Sequence, residues 1–369
     1  MKLTIARDQL VSGLQAVQNI VGTRTTLPVL SNVLLRAQEN RLDLTATDLD
    51  VTISCSVEAN VTTPGATTVP VKKLFSIVRE VGAPEIDIEV DDKHYTSIQA
   101  GSSFFRIHGL PPEEFPPLPV FADSRRVVLP QDKVKTMLRR TSFAVSTDET
   151  RYVLNGLYVS LKEHKITMVA TDGRRLALAD EEVEVPADTQ IEVIIPIKAI
   201  NELNRLVLDK GEIEVTFGQN QAAFNLRDEK GFNILLISKL VEGAYPNYRH
   251  VIPAESRERV PLAREELLQA LRRAEIMTSD KSNSVKLSFG RNSLAITANT
   301  PEVGEARESM AINYKGHEFA IAFNPTFLMD ALKALDVDEI FFELTDELSP
   351  GVVKMNGPFL YVIMPMRMN

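Results

Sequence analysis

Two Thr-Asp pairs are the residues in this chain that most invite a chemical reading: Thr47-Asp48 in LTATDLD and Thr171-Asp172 in VATDGRR. Paired carboxylates can hold a divalent ion or share general acid and base work, which would make the chain a metal-dependent hydrolase or nuclease built on Asp48 or Asp172. The same dipeptide at the end of a β-branched run is also a turn former, because an Asp side chain accepts hydrogen bonds from nearby backbone amides. The corresponding stretch LAITANTPE places Asn299 there instead, which favours the turn. No other pattern supplies a reacting group. There is no G-x-x-x-x-G-K-[ST] phosphate loop, no G-x-S-x-G elbow and no H-E-x-x-H pair. The five His residues are scattered and Cys55 is the single cysteine, so neither a metal cage nor an intramolecular disulfide is expected. The expectation is therefore no catalytic residue, no metal and no cofactor, with a separate ATP-driven factor behind any energy-requiring step.

The second group with chemical potential is cationic. KKLFSIVRE carries Lys72, Lys73 and Arg79, KVKTMLRRTSF carries Lys133, Lys135, Arg139 and Arg140 with no acid in the stretch, KAINELNR carries Lys198 and Arg205, and ALRRA carries Arg272 and Arg273. On one helix such residues are often an ordinary solvated face. Recurring on several equivalent helices, they point to a surface that meets phosphates. The net charge of −9 argues against a protein that grips nucleic acid over its whole surface, so a basic face would have to be local, inside an acidic shell.

The elements that would position these residues form an internal repeat. LTIARDQLVSGLQAV, VVLPQDKVKTMLRRT and VPLAREELLQALRRA each read as a short apolar strand, an acidic residue near a helix start and an amphipathic helix. Ile5 aligns with Leu129 and Leu262, Leu10 with Val134 and Leu267, and Ala46 with Ala170 and Ala298. Val71, Ile197 and Phe323 are each 126 residues apart. A period this long means whole domains, not a solenoid. The expected domains are 1–122, 126–252 and 258–369, with FADSR and PAESRER as short polar linkers. LDLTATDLDVTISCSVEA, EIDIEVDDKHYTSIQA, GLYVSLKEHKITMVATD and EIEVTFGQNQAAFNL alternate as strands do. The fold class is thus α+β: three tandem copies of one domain, each with two helices packed on antiparallel sheets. At 369 residues, 44% hydrophobic and 25% charged, the chain can bury more than one core. No run of 18 apolar residues and no signal-peptide pattern is present, so a cytoplasmic, membrane-free protein is expected.

On this frame the chain resembles the bacterial DNA polymerase III beta sliding clamp family. The resemblance spans the whole chain and is carried by TLPVLSNVLL, PGATTVP, RYVLNG, VATDGRRLAL, SKLVEGAYPNY and YVIMPMR, in that order. It implies a DNA-clamp fold and a head-to-tail homodimer, closed into a six-domain ring with helices around the hole. Such a ring encircles duplex DNA without sequence preference and is held by topology. The implied partners are the DNA polymerase III catalytic subunit, an ATP-dependent clamp loader, and other polymerases and repair proteins bearing a short clamp-binding peptide. The location implied is nucleoid-associated during replication.

Residue by residue, the resemblance implies DNA contacts at Arg24, Lys73, Arg79, Lys135, Arg139, Arg140, Arg151, Tyr152, Lys198 and Arg205. At RYVLNG a second aromatic of familiar members is replaced by Val153, and Tyr152 could equally be a partly buried packing residue. The implied peptide cleft is Leu154, Thr171, Gly173, Arg174, Arg175, Leu176, Pro246, Val251, Leu348, Val362, Met364, Pro365, Met366 and Arg367. Flexible, polarisable methionines suit a surface that accepts many partners, and Arg175 and Arg367 would fix a peptide's polar groups. Taken alone, Met364 and Met366 would read as the core of a last strand. Arg174 stands where a familiar member has His. The dimer interface would join Phe105 and Ile107 to Ile276 and Met277, residues that could also be plain core. Two other readings remain: a clamp-like scaffold that recruits proteins without encircling DNA, and the hydrolase.

Overall fold

The structure is a computed structural model describing residues 1–22, 27–121, 124–186, 189–228, 231–279 and 282–367. Each repeat begins with a strand that runs straight into a helix. The first comprises β1 (Lys2–Ala6), α1 (Arg7–Val17), β2 (Asn32–Gln38), β3 (Arg41–Thr47), β4 (Val51–Glu58), β5 (Asn60–Thr63), β6 (Gly65–Pro70), α2 (Val71–Glu80), β7 (Glu85–Val90), β8 (Tyr95–Ala100) and β9 (Ser103–His108). The second comprises β10 (Arg125–Pro130), α3 (Gln131–Thr141), β11 (Gly156–Lys162), β12 (Lys165–Thr171), β13 (Arg175–Glu182), β14 (Ile191–Pro196), α4 (Ile197–Leu206), β15 (Glu212–Phe217), β16 (Gln221–Arg227) and β17 (Asn233–Lys239). The third comprises β18 (Glu258–Ala263), α5 (Arg264–Glu275), β19 (Val285–Gly290), β20 (Ser293–Thr300), β21 (Gly304–Ala311), β22 (Phe319–Phe323), α6 (Pro325–Ala334), β23 (Glu339–Leu344), β24 (Gly351–Lys354) and β25 (Phe359–Ile363).

The landmarks read from the sequence land on equivalent places. Ile5, Leu129 and Leu262 are buried in the first strand of each repeat, and Ala46, Ala170 and Ala298 in its third. Acids stand in the first turn of α1, α3 and α5, as Asp8, Asp132 and Glu265-Glu266, where the helix dipole favours negative charge. One alignment needs correction. Phe323 is not the counterpart of Val71 and Ile197, which open α2 and α4; α6 opens two residues later at Pro325, after the Asn324 cap. The repeat is therefore two residues longer there, matching the 128-residue step from Ala170 to Ala298. Period alone misplaced a helix start that capping chemistry sets.

The chain separates into two compact units that cut through the middle repeat: 1–135 with 198–240, and 136–197 with 241–369. The first unit holds a five-stranded sheet, β5-β1-β7-β8-β9, and an eight-stranded sheet, β10-β15-β16-β17-β4-β3-β2-β6. The second holds an eight-stranded sheet, β14-β11-β12-β13-β25-β24-β23-β18, and a four-stranded sheet, β21-β20-β19-β22. All strand pairs are antiparallel, and each eight-stranded sheet is two half-sheets from successive repeats, joined by β17 on β4 and by β25 on β13.

Helix pairs are fastened by side chains at the strand-to-helix step. Arg7 donates to Val78 O and Arg79 O at the end of α2, and Arg264 donates to Val337 O and Leu332 O at the end of α6. Gln131 does the equivalent work with Glu212 O, Arg227 O and Leu208 N. Each satisfies backbone groups that a helix end or tight loop leaves without partners. Helix α1 lies so close on its sheet that a Cβ at Gly13 would stand 3.0 Å from Leu44 Cδ1. Beneath it the Cys55 thiol is buried and donates to Gly13 O at 3.5 Å.

Candidate nucleic-acid interface and partner cleft

Apolar spacing sets the direction of each basic helix. In α2 the buried side is Val71, Leu74 and Val78, which turns Lys73 and Arg79 to solvent. Arg79 pairs with Glu80 at 3.0 Å and, with Lys72, lines a polar hollow of about 470 Å³ that also takes in Gln18, Asn19 and Ser76. On the other helices several cations have acquired an acid from elsewhere in the fold. Lys135 pairs with Asp209 at 2.8 Å, Arg139 with Asp336, and Lys198 with Asp48. Arg140 is half-buried; burial first, then the neighbouring Arg139 charge, presses its guanidinium below the usual value. Arg205 donates to Gln15 O at 3.1 Å and Ala16 O at 2.7 Å, closing the end of α1, while also pairing with Glu202. An acid-free helix sequence thus did not mean unpaired cations. Arg24 lies outside the described residues.

Arg151 and Tyr152 sit on the loop between α3 and β11. Asp148 opens that loop by accepting from Thr150 N at 3.0 Å, Tyr152 is 61% exposed, and Arg151 Nη1 donates weakly to Asp172 O at 3.5 Å. The packing reading of Tyr152 therefore fails. Gly173 has φ +85, and a Cβ there would stand 2.7 Å from Arg151 Nη1. A Cβ at Gly243 would stand 3.0 Å from Val153 and 3.5 Å from the Tyr152 hydroxyl. The two glycines let the loop lie down on its neighbours.

Asp48 and Asp172 are turn formers. Asp48 Oδ1 accepts from the amides of Asp50 and Val51, and Asp172 Oδ1 from those of Arg174 and Arg175. Their second oxygens pair with Lys198 and with Arg175 Nε. Among the described residues no group of three His, Cys, Asp or Glu could hold a metal.

The cleft residues of the second unit centre on the β13–β25 pair, where Leu176 faces Val362 across the strands and Met364 N donates to Arg174 O at 2.9 Å. Leu176, Val362 and Val169 form a buried floor, walled by Tyr158, Leu178, Tyr245, Tyr248, Ile252 and Leu360. Leu154 is buried, while Pro246, Val251, Met364, Met366 and Arg367 are exposed. Thr171 ties its turn by donating to Arg175 O at 2.6 Å. Two expected residues behave differently. Leu348, 84% exposed, lines a hollow of about 570 Å³ with Arg257, Glu258, Tyr314, His317 and Phe319, and none of the other cleft residues lines it. Arg175 has only 10% of its side chain exposed. It donates to Asp172 at 3.1 Å, Asp330 at 2.7 Å and Phe143 O at 2.8 Å, and stacks on Phe327 at 4.3 Å. Its guanidinium is a tie between β13 and α6 rather than a ready ligand for a peptide. The tyrosine wall was missed: Tyr158 stacks on Tyr245 with centroids 5.2 Å apart and meets Tyr248 at 5.9 Å. The signal available was the Tyr-Pro-Asn-Tyr spacing. Burial pushes the Tyr245 phenol up.

Phe105 and Ile107 are half-buried on β9, and Phe104 on its other face is 60% exposed. Ile276, 69% exposed, and Met277 follow α5; Thr300 donates to Met277 O at 2.8 Å, which sets them beside the end of β20. β9 is a terminal strand of the five-stranded sheet, opposite β5, and β21 a terminal strand of the four-stranded sheet, opposite β22.

A thrice-repeated α+β unit whose successive half-sheets join edge to edge defines the architecture of the chain. The chain belongs to the DNA polymerase III beta subunit family. It matches that family's N-terminal domain over residues 1–119, its central domain over 128–247 and its C-terminal domain over 249–367. It is 38% identical to the beta sliding clamp of Chlamydia pneumoniae over 369 residues and 31% identical to that of Bacillus subtilis over 381, each covering 100% of both chains. Solved structures agree, with 100% of both chains covered in each case. The Pseudomonas aeruginosa DNA polymerase III subunit beta superposes with TM-score 0.92 at 34% identity, and the Bacillus subtilis sliding clamp with 0.94 at 30%.

Proposed function

We propose that two copies of this chain join head to tail into a closed ring around duplex DNA, and that the ring tethers the replicative polymerase and other DNA enzymes to their template. The observation that carries this is the sheet inventory. Two junctions between successive repeats make complete eight-stranded sheets, and the chain is left with one five-stranded and one four-stranded half-sheet, each with an open edge. Open edges invite pairing with another chain, and a heterologous contact of this kind closes into a ring when the rotation fits. The proposed domains are 1–122, 126–252 and 258–369.

Lys73 and Arg79 on the exposed side of α2, with Arg151 and Tyr152 on their loop, support phosphate contact without sequence reading. The acids paired with Lys135, Arg139, Lys198 and Arg205 keep that attraction weak, which suits movement along the duplex. Arg24 and Arg140 belong to the same proposed set. The Leu176–Val362 floor, with the exposed Met364 and Met366 following Val362 in the chain, supports docking of short apolar peptides from the polymerase, the ATP-dependent loader and repair proteins. No helix of the described residues is long and apolar enough to cross a membrane, and the proposed working location is the bacterial nucleoid in the cytoplasm.

The test is to load the protein on nicked circular DNA with a bacterial clamp loader and ATP, then linearise the DNA. Retention on circles and loss from linear DNA is expected. Equal retention on both would mean ordinary affinity and would refute the ring. No loading, where a known clamp loads in the same mixture, would favour the scaffold.

A further inference from the structure

The repeat gives the peptide cleft a counterpart elsewhere in the chain, an inference that rests on the peptide-docking reading above. The cleft floor lies where β13 meets β25, with Leu176 opposite Val362 and Leu178 opposite Leu360. Its equivalent, the first junction, lies where β4 meets β17, with Thr52 opposite Ile237 and Ser54 opposite Leu235. The neighbouring strands extend the match: Val169 pairs with Leu178 and Tyr158 as Thr45 pairs with Ser54 and Leu34. The backbone frame is the same in both places. Met364 N donates to Arg174 O at 2.9 Å, and Lys239 N donates to Asp50 O at 2.9 Å. Asp172 and Asp48 tie the adjoining turns through the same pair of amides, two and three residues on. The first unit therefore holds a second copy of the cleft's frame, dressed with different side chains.

We propose that Thr45, Thr52, Ser54 and the Asp50–Lys239 pair close this counterpart to apolar peptides, and so confine docking to one place per chain. Burial does not distinguish the two floors. Thr45, Thr52 and Ile237 are 6%, 8% and 5% exposed, against 0%, 2% and 2% for Val169, Leu176 and Val362. Side-chain chemistry does distinguish them. Val169, Leu176 and Leu178 of the cleft are answered by the hydroxyl residues Thr45, Thr52 and Ser54. Thr45 and Ser54 share a hydrogen bond at 2.9 Å, and Thr47 and Thr52 share one at 2.8 Å. An apolar side chain laid on this floor would cover polar groups and gain less than it gains on Leu176 and Leu178, because the driving force follows the apolar area removed from water. A polar ligand gains little either, since these hydroxyls already have partners.

The residue two places beyond the floor strand changes in the same sense. After Val362 it is Met364, a flexible apolar side chain 43% exposed. After Ile237 it is Lys239, whose ammonium pairs with Asp50 at 3.0 Å, both side chains being exposed. An apolar peptide settling there would have to strip water from that pair. The neighbouring wall differs as well. Tyr158 stacks on Tyr245 with centroids 5.2 Å apart, whereas Leu34 packs against Val29, Leu30 and Phe115. Together these exchanges are expected to weaken an apolar peptide at the first junction by about a hundredfold or more relative to the cleft.

The first test irradiates the full wild-type chain with a short clamp-binding peptide that carries a photoreactive group. Label is expected beside Leu176 and Val362 and not beside Thr52 and Ile237. Label at the first junction overturns the proposal, whether or not the cleft is labelled too. Label at neither place overturns the cleft reading and the proposal with it. The second test grafts the cleft's residues onto the first junction, as Thr45→Val, Asp50→Arg, Thr52→Leu, Ser54→Leu and Lys239→Met in one chain. By calorimetry the graft is expected to take two peptides per chain where the wild type takes one, the added site lying within about tenfold of the cleft's affinity. A graft that melts with the wild-type protein and still takes one peptide overturns the assignment of these residues. Because five changes can disturb the sheet, the exposed pair, Asp50→Arg with Lys239→Met, and the single Thr52→Val are also made separately. Each is expected to bring photolabel to the first junction, and its absence from both overturns the assignment.

Discussion

Replacing Arg175 alone should destabilise the 136–197/241–369 unit more than replacing Arg175 and Asp330 together. The guanidinium is 10% exposed and bonds Asp172, Asp330 and the Phe143 carbonyl while stacking on Phe327. Arg175→Met keeps the bulk but leaves two carboxylates, 18% and 26% exposed, without their cation. Breaking a buried pair from one side costs about 3–5 kcal/mol; the partial solvent access of these acids lowers that to about 2–3 kcal/mol. Adding Asp330→Asn removes one stranded charge and should recover about 1 kcal/mol. The chain contains no Trp, so the natural probe is the near-UV circular dichroism of the stacked Tyr158, Tyr245 and Tyr248 during urea unfolding. Two-state analysis would apply to that transition only and not to the whole chain. A single variant costing under about 0.5 kcal/mol, or strict additivity in the double variant, would refute the tie.

Leu49 occupies, at φ +78 and 45% exposed, the turn place that Gly173 holds in the next repeat. Leu49→Gly should therefore stabilise the first unit by about 0.5–1 kcal/mol, and an unchanged or lower melting temperature would count against stored strain. Burial, and secondarily the nearby Asp43 charge, pushes the Cys55 thiol from 9.0 up to about 12. The native protein should not react with a disulfide reagent at pH 8 until it opens. The sign follows from the raised value: the protonated thiol belongs to the folded state, so its contribution is complete below about 9 and is lost as pH rises toward about 12. Reaction faster than unfolding would refute this burial. Met364→Ala, at a side chain 43% exposed, should leave the melting temperature within about 1 °C but weaken a short clamp-binding peptide about three- to tenfold in fluorescence polarisation. Equal binding would remove Met364 from the cleft.

The triplication and the strand-helix order were legible in the chain because they rest on local facts: period-two and helical spacing, and acids at helix starts. Asp48 and Asp172 could be read as turn formers for the same reason, since an Asp bonds amides only two or three residues away. Even there, local chemistry overruled period at α6, where the Asn324 cap moved the helix start to Pro325.

Partnerships between distant residues belonged to the tertiary structure alone. The stretch KVKTMLRRTSF looked like free positive charge because Asp209 and Asp336 lie some 70 and 200 residues further along. Arg175 looked like a peptide ligand until Asp330, 155 residues away, was seen to hold it. The eight-stranded sheets, and hence the half-sheets left open at β9 and β21, likewise follow from which edge each strand reaches in space. A sequence records what each residue can bond to; folding decides which of those bonds are already made, and so which groups remain to meet DNA, a peptide or a second copy.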